Sequence, residues 1–266
     1  MLNPSNPYFR QVDLLLALMP LVGRESCFAL KGGSAINLFV RDLPRLSVDL
    51  DLTFLPVKDR AQSLAEMDAA LGRIATAITR ALPGADLQQT AGRPGECTKL
   101  LVMRDGIRVK VEASPVLRGA VNQPGVRGVC PSVESQFGYV EMPLLHPHDL
   151  YAGKLCAALD RQHPRDLFDV KLLLENEGIG DELLQVFLVY LISGNRPLAE
   201  LIAPQFQPLE MVFETQFKGM TMQPIGVAEL EETRRTLVKL IQERLTEKQR
   251  RFLLSFKQGV PEWSLL

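Results

Sequence analysis

The pattern of hydrophobic and polar positions changes near residue 145, from mixed periods to almost uninterrupted helical periods. Before that point, residues 57–82 repeat apolar side chains every three or four positions, which predicts a long amphipathic helix. Beyond it, the helical period dominates residues 148–161, 164–176, 181–192 and 227–245. The change predicts two domains, residues 1–145 and residues 146–266, of which the second is mostly helical.

The first domain also contains short apolar runs and alternating segments that predict β-strands. These strands are expected within residues 27–30, 46–55, 85–91, 97–105, 106–114 and 137–145. Asp105 and Gly106 join two of them and give the strongest hairpin signal in the chain, so an antiparallel meander is expected there. A leading helix at residues 6–22 would cover one side of the sheet. The predicted fold class is α+β, with a mixed β-sheet core flanked by helices and followed by a mostly helical C-terminal domain.

Composition narrows the class of protein without identifying it. The 266 residues carry a net charge of −1, which argues against a general polyanion binder, although a local basic face could still bind nucleic acid. The four cysteines stand singly, with no CxxC pair and no histidine at zinc-ligand spacing, so disulfides and structural zinc are not expected. The apolar runs are too short to span a bilayer and none has a basic leader, so we expect a cytoplasmic protein with no membrane partner.

Two aspartates, Asp49 and Asp51, interrupt the apolar run of residues 46–55. In a strand they project to the same side with Cα atoms about 6.7 Å apart, so they could bind one or two divalent cations together. Mg²⁺, or Mn²⁺ in its place, suits a few carboxylates that share the ion with substrate phosphates. The alternative is that both acids lie on a solvent-facing edge. Glu112 ends the polar row of residues 106–114 and is the candidate third metal ligand, although an ordinary half-exposed strand explains it equally well.

Gly32, Gly33 and Ser34 lie where a strand is expected to turn into a helix, with Ser34 as the N-cap of the helix at residues 35–41. Glycines allow positive φ and close backbone approach, and the exposed amides at a helix start bind anions such as phosphate. A plain capped helix after a tight turn is the simpler interpretation. A phosphate site followed by a carboxylate pair is the functional one. Farther along, residues 117–129 are expected to form a glycine-rich, basic loop.

The second domain contains a dense charged cluster in "KLCAALDRQHPRDLFDV", residues 154–170. Lys154 and Arg161 are two helical turns apart on one face and could approach a triphosphate together, which makes Arg161 a candidate nucleotide-binding residue. Asp166 and Asp169 are adjacent on the next helix. One interpretation is a salt-bridge network in which Asp169 pairs with Lys154 or Arg161. In the other, Lys154 holds phosphates and Asp169 orients it or the attacking hydroxyl.

Taken together, "LKGGSAINLFVRDLPRLSVDLDLTF" and "KLCAALDRQHPRDLFDVKLLL" resemble the AbiEii/MenT family of nucleotidyltransferase toxins, within the DNA polymerase β-like nucleotidyltransferase superfamily. The resemblance covers the order and spacing of these blocks from about residue 28 to residue 178. It implies that the first domain is a nucleotidyltransferase core. The site residues it implies are Gly33 and Ser34 for nucleotide phosphates, Asp49 and Asp51 for Mg²⁺, Lys154 and Asp169 for catalysis, and Lys31 and Arg45 for phosphate contacts or bracing of the loop.

The chemistry that the resemblance implies is attack of a substrate hydroxyl on the α-phosphate of an NTP, with release of pyrophosphate. Members of the MenT branch add nucleotides to the 3′ end of tRNA and so block translation. The resemblance therefore implies a toxin of a toxin-antitoxin system, with tRNA as acceptor, an antitoxin as partner and a part in phage defence. The alternatives are a protein or small-molecule hydroxyl as acceptor, or a nucleotide-binding module without turnover.

An independent pointer to RNA is the basic segment, residues 234–257, which carries eight Lys or Arg against two Glu. Such a segment could receive an RNA acceptor stem, or it could form an ordinary solvated helix face.

Overall fold

The computed structural model describes residues 7–91 and 97–266. The strands are β1 Phe28–Lys31, β2 Asp49–Phe54, β3 Asp86–Ala91, β4 Cys97–Arg104, β5 Ile107–Arg118, β6 Gly125–Gly128 and β7 Glu141–Leu144. The helices are α1 Pro7–Val22, α2 Gly32–Ala35, α3 Arg60–Ala81, α4 Pro131–Phe137, α5 Pro147–Asp160, α6 Pro164–Asn176, α7 Asp181–Ile192, α8 Leu198–Ile202, α9 Glu210–Gln216, α10 Val227–Arg244 and α11 Glu247–Lys257. A π-helical turn, Ile36–Val40, continues α2, and a short 3₁₀ turn, Trp263–Leu265, follows α11. Asn6, the first residue of the predicted leading helix, lies outside the described residues.

The strands form one mixed sheet in the order β3-β4-β5-β2-β1-β7-β6. Strand β2 runs parallel to β5 and antiparallel to β1, and β1 runs parallel to β7. The other neighbouring pairs are antiparallel. This mixed sheet, together with a largely helical C-terminal region, confirms the predicted α+β class.

The hairpin between β4 and β5 forms at the predicted turn. Arg104 pairs with Ile107, and the two residues between them, Asp105 and Gly106, have φ angles of 51° and 74°. Positive φ at both central positions is the conformation of a type I′ turn, whose twist matches that of the paired strands. Strands β3, β4 and β5 therefore form the expected antiparallel meander.

The two faces of the sheet differ in polarity because side chains alternate along each strand. Leu50 and Leu52 of β2 are fully buried and stand opposite Val111 and Ala113 of β5, which are also fully buried. Helix α1 contacts β5 and β7, and α3 contacts β3 and β4. The apolar face is therefore part of the core, and the acids of β2 project from the opposite face.

Two local predictions are wrong. Ser34 is not an N-cap: α2 begins two residues earlier, at Gly32, because that glycine takes φ +74° and turns the chain directly out of β1. The predicted loop at residues 117–129 contains strand β6. Its four residues pair with β7 at the edge of the sheet, where one partner strand is enough to order a short glycine-containing segment.

The chain divides into two compact units, one of which is interrupted in sequence. The first unit comprises Met1–Leu150 and Gly219–Gln223. The returning segment pairs with the chain just before β2, where the Leu46 N–H donates to the Met220 carbonyl at 2.8 Å and the Met222 N–H donates to the Pro44 carbonyl at 2.9 Å. This unit therefore contains backbone pairing from far along the chain.

The second unit comprises Tyr151–Lys218 and Pro224–Leu266 and is helical. Helix α10 packs against α6, and the buried side chains Leu167, Phe187 and Leu237 belong to its core. Within residues 7–91 and 97–266, no helix has both the length and the apolar character needed to cross a bilayer.

Candidate active site

Asp49 and Asp51 lie on the half-exposed face of β2, opposite the buried leucines. The strand register places charged residues beside them. Lys110 of β5 stands opposite Asp49, and Glu112 stands opposite Asp51. On the other side, Lys31 of β1 stands opposite Asp51. Residues in register project from the same face of a sheet, so these side chains share one surface.

We call this surface the carboxylate face and define it by the three acids Asp49, Asp51 and Glu112 and the three lysines Lys31, Lys99 and Lys110. Lys99 belongs to it because β4 places it opposite Glu112. The six residues are all half-buried. Equal numbers of acids and lysines explain how the sheet holds three carboxylates close together, since an isolated group of this kind would be strongly disfavoured by mutual repulsion.

Glu112 is bonded to two lysines on this face. The Lys110 Nζ lies 2.7 Å from Oε2 of Glu112, and the Lys99 Nζ lies 3.5 Å from Oε1. Partial burial would raise the pKa of Glu112, but the hydrogen bond and charge of Lys110, aided by Lys99, lower it below its ordinary value. Burial likewise opposes the charged form of Lys110. The hydrogen bond to Glu112 and the charges of Asp49 and Asp51 outweigh that effect and raise the pKa of Lys110. Both groups are therefore charged at neutral pH.

The carboxylate face fits a metal ion that is shared with a substrate, rather than one held by protein alone. Within the described residues, no three His, Cys, Asp or Glu side chains are arranged to hold a metal ion together. The register brings Glu112 beside Asp51, but its two oxygens face lysines, so its predicted role as third ligand stays a prediction. Two neighbouring carboxylates, with the remaining positions left to water and phosphate oxygens, match the coordination that Mg²⁺ prefers.

The turn between β1 and α2 is held closely against this face. A Cβ atom added at Gly32 would lie 2.8 Å from Oδ2 of Asp51, and one added at Gly33 would lie 2.7 Å from Nη2 of Arg45. Both distances are shorter than real Cβ contacts allow. A side chain at either position would therefore have to displace the end of Asp51 or Arg45, and at Gly32 the φ of +74° also favours glycine.

Ser34 and Arg45, which the resemblance places near phosphates, have buried side chains beneath this turn. The Ser34 hydroxyl lies 3.0 Å from the Ser47 hydroxyl and donates to the Asp49 carbonyl. The Arg45 Nη1 donates to the Leu46 carbonyl at 2.9 Å. In this structure the two side chains brace the turn against the start of β2, so a ligand would meet the backbone of the turn first.

The second charged cluster lies within the helical unit and is a buried network of ion pairs. The Lys154 Nζ lies 2.7 Å from Oδ1 of Asp166 and 2.8 Å from Oδ2 of Asp169. The exposed fractions of these side chains are 4% for Lys154, 2% for Asp166 and 0% for Asp169. The Arg161 Nε lies 2.5 Å from Oδ2 of Asp166, while its own side chain is 63% exposed. The structure thus brings Lys154, Arg161 and Asp169 together around Asp166.

Charge within this network is balanced, with two cations and two anions. Burial would raise the pKa of Asp166, but the charges of Lys154 and Arg161 and their hydrogen bonds outweigh it and hold the pKa well below its ordinary range. Asp166 is therefore a buried carboxylate that stays ionised because both of its neighbours are cations.

The comparison that decides the family is with a family model. The model described as "Nucleotidyl transferase AbiEii toxin, Type IV TA system" matches residues 13–265. The chain belongs to the AbiEii nucleotidyltransferase toxin family. The predicted resemblance is confirmed, and with it the assignment as a nucleotidyltransferase toxin of a toxin-antitoxin system. The family model adds that the system is of type IV. Membership of the AbiEii family implies an NTP substrate and an antitoxin partner.

A solved structure with a similar fold is MenT4, a nucleotidyltransferase toxin from Mycobacterium tuberculosis H37Rv. The TM-score is 0.67 at 17% sequence identity, and the match covers 92% of this chain and 87% of that chain. At this identity the likeness shows a shared fold. A search of the curated proteins found no match.

In the basic segment of this AbiEii chain, residues 234–257, some of the Lys and Arg side chains are buried or paired with acids. Its exposed surface therefore carries less positive charge than its sequence suggests. Arg234 is buried, and its Nη1 donates to Oε1 of Gln162 at 2.9 Å and to the Gln207 carbonyl at 2.6 Å. Arg244 pairs with Asp181 at 2.5 Å. These arginines hold the helical unit together, so the segment does not present all its positive charges to a ligand.

Two charged residues of the first unit, Lys110 and Asp149, had no assigned role in the sequence-based prediction. Lys110 could have been found, because the alternation in "RVKVE" places it on the same side as Glu112. Asp149 is buried, and its carboxylate accepts hydrogen bonds from the backbone N–H groups of Val121 and Asn122 at 2.7 and 3.0 Å. It thereby holds the loop between β5 and β6, and no local pattern around Asp149 indicates that contact.

Proposed function

We propose that this AbiEii toxin transfers a nucleoside monophosphate from an NTP to an RNA acceptor, the 3′ end of tRNA, in a reaction that requires Mg²⁺ or Mn²⁺. The observation that carries the metal assignment is the shared face of Asp49 and Asp51 beside the Gly32–Gly33 turn. The acceptor is proposed from the resemblance to the MenT branch. Block of translation follows if tRNA ends are modified before aminoacylation.

In the first unit, some residues would bind the metal ion and others would bind the phosphates of the NTP. Asp49 and Asp51 would hold the ion, with Glu112 as a third ligand once its lysine contacts are exchanged. A bound divalent ion lowers the charge on the attacking and leaving oxygens and holds them in line. The ammonium of Lys31 and the backbone at Gly33 would bind phosphate oxygens. Support for this comes from the shared face of Lys31 and Asp51 and from the position of Gly33 two residues after Lys31 in the turn.

Most of the acceleration in such a transfer comes from positioning and charge neutralisation, because the protein has little covalent chemistry to perform. Ser34 and Arg45 serve that requirement by fixing the turn to β2. In the reaction the acceptor hydroxyl loses its proton to solvent and its oxygen bonds to the α-phosphorus. The bond between the α-phosphorus and the oxygen that bridges it to the β-phosphorus breaks, and pyrophosphate leaves. The resemblance also implies a part in transfer for Lys154, Asp169 and Arg161, and this stays a prediction.

Labelling of total RNA tests the proposal directly. The purified protein is incubated with Mg²⁺, deproteinised total RNA and each of the four NTPs labelled at the α-phosphate. Label is expected in the tRNA band. It should disappear when the tRNA is first oxidised with periodate, which destroys the 3′-terminal diol, and when EDTA removes the metal.

Three other outcomes would contradict the proposed acceptor. Label retained on periodate-oxidised tRNA would place the acceptor hydroxyl elsewhere in the RNA. Label on added protein or on a small molecule would identify a different hydroxyl. No label anywhere, with NTP binding retained in equilibrium dialysis, would indicate a nucleotide-binding module without turnover under these conditions.

A further inference from the structure

Two lysines of the carboxylate face, Lys99 and Lys110, pair with Glu112, and Lys110 also stands in register with Asp49. We propose that in the nucleotide-free protein Lys110 is the counter-ion of Asp49, Asp51 and Glu112. It competes there with the divalent cation until a nucleoside triphosphate binds. The inference rests on the proposed function, because it assumes that Asp49 and Asp51 hold the metal. It adds a device that makes metal binding depend on the nucleotide.

The position of Lys110 distinguishes it from the other lysines of this face. It stands in register with Asp49, and its Nζ lies 2.7 Å from Oε2 of Glu112, which in turn stands in register with Asp51. Lys110 is thus connected to both aspartates. It is in register with Asp49, and it is bonded to Glu112, the neighbour of Asp51. Lys99 reaches Glu112 more weakly, at 3.5 Å, and stands in register with no aspartate of β2.

Lys110 and a divalent cation would compete because both are positively charged and both bind carboxylate oxygens. A divalent cation at Asp49 and Asp51 would lie within a few ångströms of the Lys110 ammonium, and like charges at that distance repel. The carboxylate of Glu112 is a weaker metal ligand while Lys110 is bonded to it, because the ammonium neutralises its charge and takes up a lone pair of Oε2. The nucleotide-free protein should therefore bind a divalent cation at Asp49 and Asp51 more weakly than it would without Lys110.

A triphosphate removes this obstacle in two ways. It supplies oxygen ligands to the metal, and it supplies anionic oxygens that can accept the Lys110 ammonium after it leaves Glu112. The lysine then changes partner from carboxylate to phosphate without becoming an unpaired half-buried charge. Metal and nucleotide should consequently bind with positive coupling in the native protein, and the coupling should depend on Lys110.

Binding of Mn²⁺ to the nucleotide-free protein, followed by electron paramagnetic resonance, tests this device without any measurement of activity. Lys110→Met removes the charge and keeps a side chain of similar length. We expect it to tighten Mn²⁺ binding on the order of tenfold relative to the native protein, the size expected for removing one like charge at this range. Lys99→Met is the matched control, with the same change of charge on the same face, and should shift the affinity much less. Lys110→Arg should behave like the native protein.

A second titration adds the α,β-methylene analogue of each NTP, which cannot undergo transfer. The analogue that binds should tighten Mn²⁺ binding more in the native protein than in Lys110→Met, because the substitution has already removed the competing charge. Asp49→Asn combined with Lys110→Met should lose the tight Mn²⁺ site. If Lys110→Met does not fold, Lys110→Gln provides the same test with a polar replacement.

The outcomes separate this inference from the proposed function. Equal Mn²⁺ affinity in the native protein and Lys110→Met, both dependent on Asp49, would overturn the role of Lys110 and leave the metal site intact. The same tightening in Lys99→Met would also overturn it, since general charge would then be the cause. Absence of Mn²⁺ binding in every variant, with and without the analogues, would overturn the metal assignment itself.

Discussion

The carboxylate face and the buried network around Lys154 contain the same kinds of residue in different surroundings. In the network, each charged group has an opposite charge within 2.8 Å, and Lys154, Asp166 and Asp169 are almost completely buried. On the carboxylate face the acids and lysines are half-buried and can exchange their partners with solvent or a ligand. From this difference in burial and in completeness of pairing we predict that substitutions on the carboxylate face mainly change the rate of transfer, and that substitutions in the network mainly change stability.

The largest expected effect would come from neutralising an acid of the carboxylate face. Asp51→Asn should lower the rate of nucleotide transfer by at least about a hundredfold, since metal-assisted stabilisation supplies several kcal/mol and each 1.4 kcal/mol is a factor of ten. The melting temperature should change little, because Asp51 is half-buried among both acids and lysines and asparagine keeps its shape. Initial rates and thermal unfolding check the two parts.

Asp86→Asn is the matched control for that substitution, because Asp86 is an exposed aspartate at the start of β3 in the same sheet. It should leave the transfer rate unchanged. A full transfer rate in Asp51→Asn would remove the distinction between the two clusters. So would a loss of stability large enough for unfolding alone to explain the lower rate.

The second effect concerns the network and should appear in stability. Asp166→Asn removes a charge that pairs with both Lys154 and Arg161, and should lower the free energy of unfolding by about 3–5 kcal/mol, the usual result of breaking a buried ion pair. Asp160→Asn is the control, because its pair with Arg196 is largely exposed and screened by solvent, so its loss should change stability far less. Urea denaturation at pH 7 measures both. Equal effects at the two positions would show that burial does not determine the strength of these pairs.

The smallest effect is the pH dependence of that stability difference. The folded-state pKa of Asp166 lies below the value of about 3.9 that an aspartate has in an unfolded chain. Its contribution is therefore fully present above about pH 4 and is lost as the pH falls further, because the unfolded chain takes up the proton first. The difference between the native protein and Asp166→Asn should be constant from pH 7 to pH 5 and smaller at pH 3.5. A decrease already between pH 7 and pH 5 would point to another titrating group.

Local patterns predicted the parts of the fold that depend on neighbours in sequence. Alternation in β2 and β5 placed Asp49, Asp51 and Glu112 on polar faces, and Asp105 with Gly106 marked the hairpin. Those features follow from the two-residue period of a strand and from the backbone angles that a tight turn requires. The acids could therefore be proposed as site residues before their register was known.

The features that were missed depend on residues far apart in the chain. The direction of the Ser34 hydroxyl is set by Ser47 and by the Asp49 carbonyl, and the role of Asp149 is set by two amides of another loop. Lys154 pairs with Asp166 as well as with Asp169. This double pairing depends on the angle between α5 and α6, which the sequence does not give. No periodicity reports such contacts, because each one arises only when separate elements pack.

The return of Gly219–Gln223 to the first unit has a consequence for biosynthesis. A ribosome that has not yet reached this segment has produced a chain in which Pro44 and Leu46, next to the arginine beneath the glycine turn, still lack their backbone partners. The start of β2, just before Asp49 and Asp51, thus acquires these partners only when most of the polypeptide has emerged. A chain terminated before Gly219 would lack them.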